Sequence, residues 1–280
     1  MEFDLPPLPV KDFLLEYDLH AKKSLGQNFL FDNGSLSKIV RGSDVSKDDA
    51  VLEIGAGMGS LTRFLAVSAK RVVAVEIDQK MLPILDQVLL PFNNVEIVHG
   101  DMLEQDPAEL MDGEDYVCIA NIPYYITSAL MRHLLESSLR PKRIVFTMQQ
   151  EVAARICATE GKLSLLALSV QVYGAPRVVA KLPAGAFYPP PKVDSATLRV
   201  DLYEEPCIPS EQIDTFFQLA KAGFSQKRKN LRNSLSGGLH IAKEEAEQLL
   251  AQAEIDATRR AETLSIEEWG RLAEIYSTTG

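Results

Sequence analysis

Cysteine and histidine are scarce. Cys118, Cys157 and Cys207 are the three cysteines of a 280-residue chain, far apart and without CxxC spacing. They suggest neither a disulfide framework nor a zinc site, and read as buried thiols. His20, His99, His133 and His240 form no spaced pair, so no metal is expected. No apolar run approaches the ~20 residues of a membrane-spanning helix. The opening Met-Glu-Phe-Asp-Leu-Pro-Pro-Leu-Pro has no basic or apolar signal region and is too acidic for a transit peptide; a cytoplasmic protein off the membrane is expected. Positive charge is also short, 29 Lys and Arg against 39 Asp and Glu, a net charge of −10. That excludes a protein that coats nucleic acid without specificity. Distribution matters more than the sum, because Lys221, Lys227, Arg228, Lys229 and Arg232 stand with no acid between them.

What is present is a globular composition, 46% hydrophobic and 24% charged. The length suits one α/β domain of ordinary size and a smaller second one. The chain is organised around residues 50–59, Ala-Val-Leu-Glu-Ile-Gly-Ala-Gly-Met-Gly, where an apolar run meets glycines at every second position. Val51, Leu52 and Ile54 read as a buried strand, Gly55, Gly57 and Gly59 as a turn free of Cβ obstruction, and residues 60–67 as a helix. Such a turn lets backbone N–H groups approach a ligand at the sheet's carboxyl edge, where open α/β folds bind ligands. An ordinary tight βα turn has the same glycines, so other residues must decide.

Residues 1–19 are Pro-rich and then mildly amphipathic through Phe13, Leu14 and Tyr17, predicting a loose lead-in and one short helix. Residues 22–30, Lys-Lys-Ser-Leu-Gly-Gln-Asn-Phe-Leu, have no strand or helix period. They read as a surface turn, or as a lid in which Asn28 hydrogen-bonds a ligand. A second strand, 71–76, ends in Glu76, whose carboxylate can accept both ribose hydroxyls of an adenosine-containing ligand. A third strand ends at Gly100-Asp101; Asp101, with Met102 beside it, can accept the amine of the ligand's adenine. As isolated residues, Glu76 and Asp101 are equally at home as turn or cap residues.

The fourth strand, 116–120, runs into Asn121-Ile-Pro-Tyr-Tyr. An amide, a proline that fixes the turn and an aromatic ring make a pocket for a planar, amine-bearing base. The Asn121 side-chain oxygen and a backbone carbonyl can accept both amine hydrogens while Tyr124 stacks on the ring. An adenine N6 lone pair is delocalised and poorly nucleophilic, and accepting both N–H bonds favours a pyramidal, more reactive nitrogen. With a sulfonium methyl donor no strong general base is needed, in keeping with the lack of a His or Cys nucleophile. The bland alternative is a strand end with a proline turn and core aromatics.

Lys23-Ser-Leu-Gly-Gln-Asn-Phe-Leu30, Glu53-Ile-Gly-Ala-Gly-Met-Gly59, Glu76, Gly100-Asp101 and Asn121-Ile-Pro-Tyr124 resemble, in order and spacing, the motifs of the ribosomal RNA adenine dimethyltransferases. The bacterial small-subunit class whose loss confers kasugamycin resistance is the nearest in pattern. The resemblance implies a Rossmann-like class I methyltransferase sheet of the α/β class. It implies S-adenosylmethionine (SAM) as donor, held by Asn28, Leu30, Gly55, Gly57, Glu76, Asp101, Met102 and Asn121. The implied reaction is two methyl transfers to N6 of each of two adjacent adenosines near the 3′ end of small-subunit (16S) rRNA, within a pre-30S particle. Asn121, Pro123 and Tyr124 then form the adenine slot, and Phe187 faces Tyr124 with a flipped adenine between. Read without the resemblance, residues 187–195, Phe-Tyr-Pro-Pro-Pro-Lys-Val-Asp-Ser, are a polyproline-like linker. Lys192 in that loop is a candidate phosphate contact.

Residues 143–148, 177–181 and 196–202 read as the remaining strands, and 163–172 is apolar with no decisive period. From Glu204 the composition turns helical, with Ser210 capping a helix to Ala222 and further helices at 242–253 and 265–276. The expected domains are therefore 1–203, carrying the cofactor site, and 204–280, a small α-helical domain for RNA recognition. Lys227, Arg228, Lys229 and Arg232, beside Asn230 and Asn233, resemble the family's basic C-terminal motif, and Lys22 and Lys23 join them as candidate RNA contacts. A solvated charged face is the alternative. A monomer is expected.

Three rivals stay open. An NAD-dependent oxidoreductase fits Gly55, Gly57 and Glu76, although its third fingerprint glycine would fall at Ser60. A non-catalytic RNA-binding assembly factor can keep the same fold. Resistance methyltransferases acting on large-subunit rRNA share an Asn-x-Pro-Tyr; the lead-in, the Phe187 loop and the basic run are more similar to the small-subunit class.

Overall fold

The computed structural model describes residues 4–22, 25–121 and 126–279. In chain order the elements are α1 (Val10–Glu16), β1 (Phe29–Leu30), α2 (Asn33–Ser43), β2 (Ala50–Ile54), α3 (Ser60–Ala66), β3 (Arg71–Glu76), α4 (Leu82–Leu89), β4 (Val95–His99), α5 (Pro107–Leu110) and β5 (Tyr116–Asn121). Then come α6 (Thr127–Leu135), β6 (Arg143–Gln149), α7 (Gln150–Ile156), α8 (Leu165–Gln171), β7 (Gly174–Leu182), β8 (Phe187–Tyr188), β9 (Ser195–Leu202), α9 (Ile213–Phe224), α10 (Leu231–Leu239), α11 (Lys243–Gln252) and α12 (Ile266–Thr279). Two compact units result, Met1–Ala153 with Pro176–Leu202, and Ala154–Ala175 with Tyr203–Gly280.

The first unit is built on a seven-stranded sheet of order β4-β3-β2-β5-β6-β9-β7. Strands β4 to β6 run parallel, and β9 is antiparallel to β6. Every residue of β2 is buried, and all of β3 after Arg71, which is why they read as continuous apolar runs rather than alternating ones. Strand order reverses between β2 and β5, so the carboxyl ends of those two strands frame the crevice where an α/β sheet places a ligand. The glycine turn follows β2 and Asn121 ends β5. Helix α2 starts at Asp32, whose carboxylate caps the Ser35 N–H, and buries Leu36, Ile39 and Val40 with Phe64 and Leu65 of α3.

The lead-in is not loose. Leu8, Val10 and Leu14 are buried in one cluster with Phe29, Met58, Met81 and Leu85, and the Tyr17 hydroxyl donates to Gln87. Tertiary burial, invisible to local period, fixes this segment. A second addition is the antiparallel pairing of β1 with β8, Phe29 opposite Tyr188 and Leu30 opposite Phe187, so Phe187 and Tyr188 are strand rather than linker.

In the second unit the ambiguous 163–172 segment is helix α8, capped by the Ser164 side chain. The chain crosses between the units at Leu202/Tyr203, and residues 154–175 pack with the helical unit. The Leu163 N–H donates to the Glu262 carbonyl, and the Tyr203 and Cys207 N–H groups donate to those of Tyr173 and Val172. Ser210 starts a short 3₁₀ turn ahead of α9 rather than capping the helix itself. Trp269 is fully buried and stacks on Phe224 at 5.9 Å between ring centroids. Ser265 and Glu268 close a capping box on α12. The cysteines correct one expectation: Cys118 is buried, but Cys157 is half-buried and Cys207 exposed.

Candidate active site

The site grows from the turn after β2. Gly55, Gly57 and Gly59 have φ of +75°, +58° and +80°, a left-handed backbone that side chains disfavour. At Gly57 an added Cβ would also lie 3.5 Å from the Phe29 ring. The turn is held from β3: the Gly57 N–H donates to Glu76 Oε2 at 2.7 Å, and the Asp78 N–H to Glu76 Oε1 at 2.8 Å. Glu76 is only 4% exposed. Burial lifts its carboxyl above the usual range, against the pull of the Asp78 and Gly57 N–H groups.

A cleft enclosing about 800 Å³, open mouth included, lies over this turn. Residues 25–30 form one wall; Glu53, residues 55–58, Ser60 and Leu61 form the floor; Glu76, Asn121 and Phe187 complete it. The structure thus brings together seven residues singled out from sequence: Asn28, Leu30, Gly55, Gly57, Glu76, Asn121 and Phe187. Asn28 Nδ2 donates to the Gly26 carbonyl, closing the turn of its wall. Leu30 and Phe187 share the β1–β8 pair and are core residues that show an edge to the cleft, Phe187 being 3% exposed.

Asp101 and Met102 are not among the lining residues. Asp101 sits past the end of β4, where its Oδ1 caps the Leu103 N–H, and the Gly100 N–H to Glu76 carbonyl bond keeps it at the same sheet edge. Met102 is buried. Pro123 and Tyr124 lie outside the described residues, as does Lys23. The Lys22 ammonium, 40% exposed, is bound to the buried Asp78 at 2.8 Å. Lys192 is exposed, as are Lys227, Arg228 and Lys229 in the loop between α9 and α10. Arg232, on α10, is paired with Glu247.

Sequence reasoning missed Glu53. It is a fully buried acid whose Oε2 has no hydrogen-bond partner. Burial pushes its carboxyl up to about 8, against the neighbouring Thr62 hydroxyl, and the Glu76 charge adds to the rise. Its signal was there, a lone acid inside an apolar strand. Gln27, which lines the cleft, and Asp78, which accepts its side-chain N–H, were missed as well.

The described lining holds two acids, Glu53 and Glu76, of which Glu53 keeps its proton at neutral pH, and neither Lys nor Arg. A ligand carrying sulfonium and ammonium charge meets no like charge in this lining. The residues therefore fit a SAM-type ligand, with a glycine cradle, an unpartnered buried carboxyl oxygen on Glu53 and an acid poised at the β3 end.

Comparison with known proteins agrees. The family described as "Ribosomal RNA adenine dimethylase" matches residues 18–277. Proteins named "Ribosomal RNA small subunit methyltransferase A" from Dehalococcoides mccartyi (strain CBDB1) and Bacillus pumilus (strain SAFR-032) are 42% and 41% identical. The alignments cover 99% of both chains in the first case and 96% of both in the second. Among solved structures, a dimethyladenosine transferase from Plasmodium falciparum superposes with TM-score 0.77 at 26% identity, covering 90% of this chain and 98% of that one. The 23S rRNA methyltransferase ErmE gives 0.71 at 28%, covering 89% and 100%. The glycine turn, the acid-lined cleft and the near-complete alignments lead to one assignment: the chain belongs to the ribosomal RNA adenine dimethylase family.

Proposed function

We propose that this protein transfers methyl groups from SAM to N6 of two adjacent adenosines near the 3′ end of small-subunit (16S) rRNA, giving N6,N6-dimethyladenosine during ribosome maturation. The observation that carries the reading is a cleft whose glycine cradle and Glu76 suit an adenosine ligand and whose far edge is Asn121. Full-length relatives named for the small subunit favour that target over the large-subunit alternative.

SAM, when bound, supplies an electrophilic methyl carbon. The chain's own groups do the rest. Each Glu76 oxygen spends one lone pair on a backbone N–H, leaving acceptor capacity for a ribose diol. Ile77 and Leu103, apolar yet exposed at the same edge, offer walls to a purine, and Asp101 an acceptor for its amine. Gly55 and Gly57 let the backbone come close, and Asn28 and Leu30 close the cleft from above. Asn121 accepts an N–H of the target amine and so returns lone-pair density to nitrogen. Pro123 and Tyr124 follow it in sequence, and Phe187 lies on the cleft edge as the second ring for an extruded base. Water takes the proton that N6 gives up, so no side-chain general base is required.

The exposed run Lys227-Arg228-Lys229, with Lys192, is the proposed phosphate-binding surface, and the helical unit the RNA-recognition part. The substrate is rRNA in an assembling pre-30S particle, met by a monomer in the cytoplasm; among the described residues no helix is long and apolar enough to cross a membrane. The test is transfer of labelled methyl from SAM to small subunits prepared from cells lacking this protein. Label mapping to two adjacent adenosines near the 16S 3′ end is expected. Label confined to large-subunit rRNA, or none at all, overturns the proposal.

A further inference from the structure

Segment 25–30 and Glu76 stand on different sides of the cleft, yet one buried carboxylate joins them. Asp78, two residues beyond Glu76, has a side chain only 2% exposed. Its Oδ1 accepts the Lys22 ammonium at 2.8 Å and its Oδ2 the Gln27 Nε2–H at 3.0 Å. Gln27 Oε1 in turn accepts the Lys22 backbone N–H at 2.9 Å, so the three residues close a ring. The Lys22 carbonyl then accepts the N–H groups of Leu25 and Gln27. On its other side the Asp78 N–H holds Glu76, whose second oxygen holds the Gly57 N–H. One run of hydrogen bonds therefore passes from the cleft's upper wall through Asp78 to the acid and glycine of its floor.

The cluster's weight lies in the acceptor. Lys22 is 40% exposed, and an ion pair so open to water contributes little by itself. Asp78 is the buried partner. Burial raises its carboxyl, but Lys22, Gln27 and the Lys80 N–H more than reverse this and hold it below the usual carboxylate range. Taking away a donor leaves a buried charge short of partners, which the wall can relieve only by moving.

We propose that Asp78 is a positioning residue of the cofactor site, holding segment 25–30 and the Glu76 carboxylate in one register, so that SAM affinity depends on the Lys22–Asp78–Gln27 cluster. Neither Lys22 nor Asp78 lines the cleft, and the proposal rests on the SAM reading given above. It is tested by equilibrium dialysis of labelled SAM against the full chain, without RNA, for the wild type, Asp78→Asn, Lys22→Met and the double variant. Asp78→Asn keeps the N–H to Glu76 and a side-chain oxygen for the Lys80 cap. Each single variant is expected to weaken SAM binding roughly tenfold or more, the double variant no further than the weaker single one. Turnover at saturating SAM should stay within about threefold of wild type, and Lys22→Arg should restore affinity. Hydrogen exchange at the Leu25 and Gln27 amides should quicken in the SAM-free variants.

Unchanged affinity, additive losses in the double variant, or a fall in kcat with Kd intact overturns the proposal. Should Asp78→Asn fail to fold, Lys22→Met, altered at a half-exposed tip, decides the matter. Failure of the SAM reading looks different: wild-type protein then binds no SAM, whatever the exchange data show.

Discussion

Glu53→Gln isolates the consequence of burying an acid without a partner. The Glu53 carboxyl is raised from its ordinary 4.5 to about 8, so at neutral pH the folded protein keeps a proton that the unfolded chain has released. Unfolding then becomes easier as pH rises. The proton's stabilising contribution is whole below pH 4.5 and is lost as pH climbs to about 8, a span worth roughly 5 kcal/mol at 1.36 kcal/mol per pH unit. Between pH 6 and 8 the loss is roughly 2 kcal/mol. Glutamine has the shape of the neutral acid and cannot ionise. Urea unfolding of the wild type and Glu53→Gln, followed by a probe in the first unit from pH 5.5 to 8.5, should give similar midpoints at the acid end. At the alkaline end the variant should be the more stable by roughly 3 kcal/mol, the loss summed over that wider range. Glu76, also raised by burial, is present in both proteins, but its charge is one cause of the Glu53 rise, so the difference reports the coupled pair. Curves that stay parallel across the whole range refute the assignment of a buried neutral acid at Glu53.

Asn121→Ala should abolish methyl transfer while leaving the SAM Kd within about threefold; dialysis beside a labelled-methyl assay checks it, and normal turnover removes Asn121 from the chemistry. Gly57→Ala asks an L residue to hold φ of +58°, about 1–2 kcal/mol of backbone strain, and puts a methyl group into the cradle. SAM binding should fall by far more than the shift in urea midpoint explains. Changing Lys227 and Arg228 together to Glu should weaken rRNA binding and flatten the plot of log K against log salt by roughly 1.5–2. An unaltered slope clears that loop of phosphate contact.

The central strands were readable because they are buried on both sides, so residues 51–54, 71–76 and 116–120 announce themselves as short apolar runs between glycine, proline and polar turns. Glu76 and Asn121 were readable because a polar residue closing such a run has no core role to fill. The β1–β8 pair was not, since two residues per strand carry no period and their partnership spans more than 150 residues. The docking of Leu8, Val10 and Leu14 was hidden for the same reason: what buries them is α4 and the glycine turn, far along the chain. Residues 154–175 joined the helical unit through backbone bonds to Tyr203, Cys207 and Glu262, and no local composition change marks that allegiance. Glu53 was passed over because an acid within an apolar strand breaks the pattern being sought, although that break was the signal.

The joining of Leu30 to Phe187 also bears on the protein's own synthesis. A nascent chain that has emerged only as far as β6 owns the glycine turn, Glu76 and Asn121 but lacks the strand against which its early segment must lie. Closing so long a loop is slow relative to forming neighbouring turns. Competence to take up the methyl donor therefore arrives late in translation, and fragments ending short of residue 188 should be born without it.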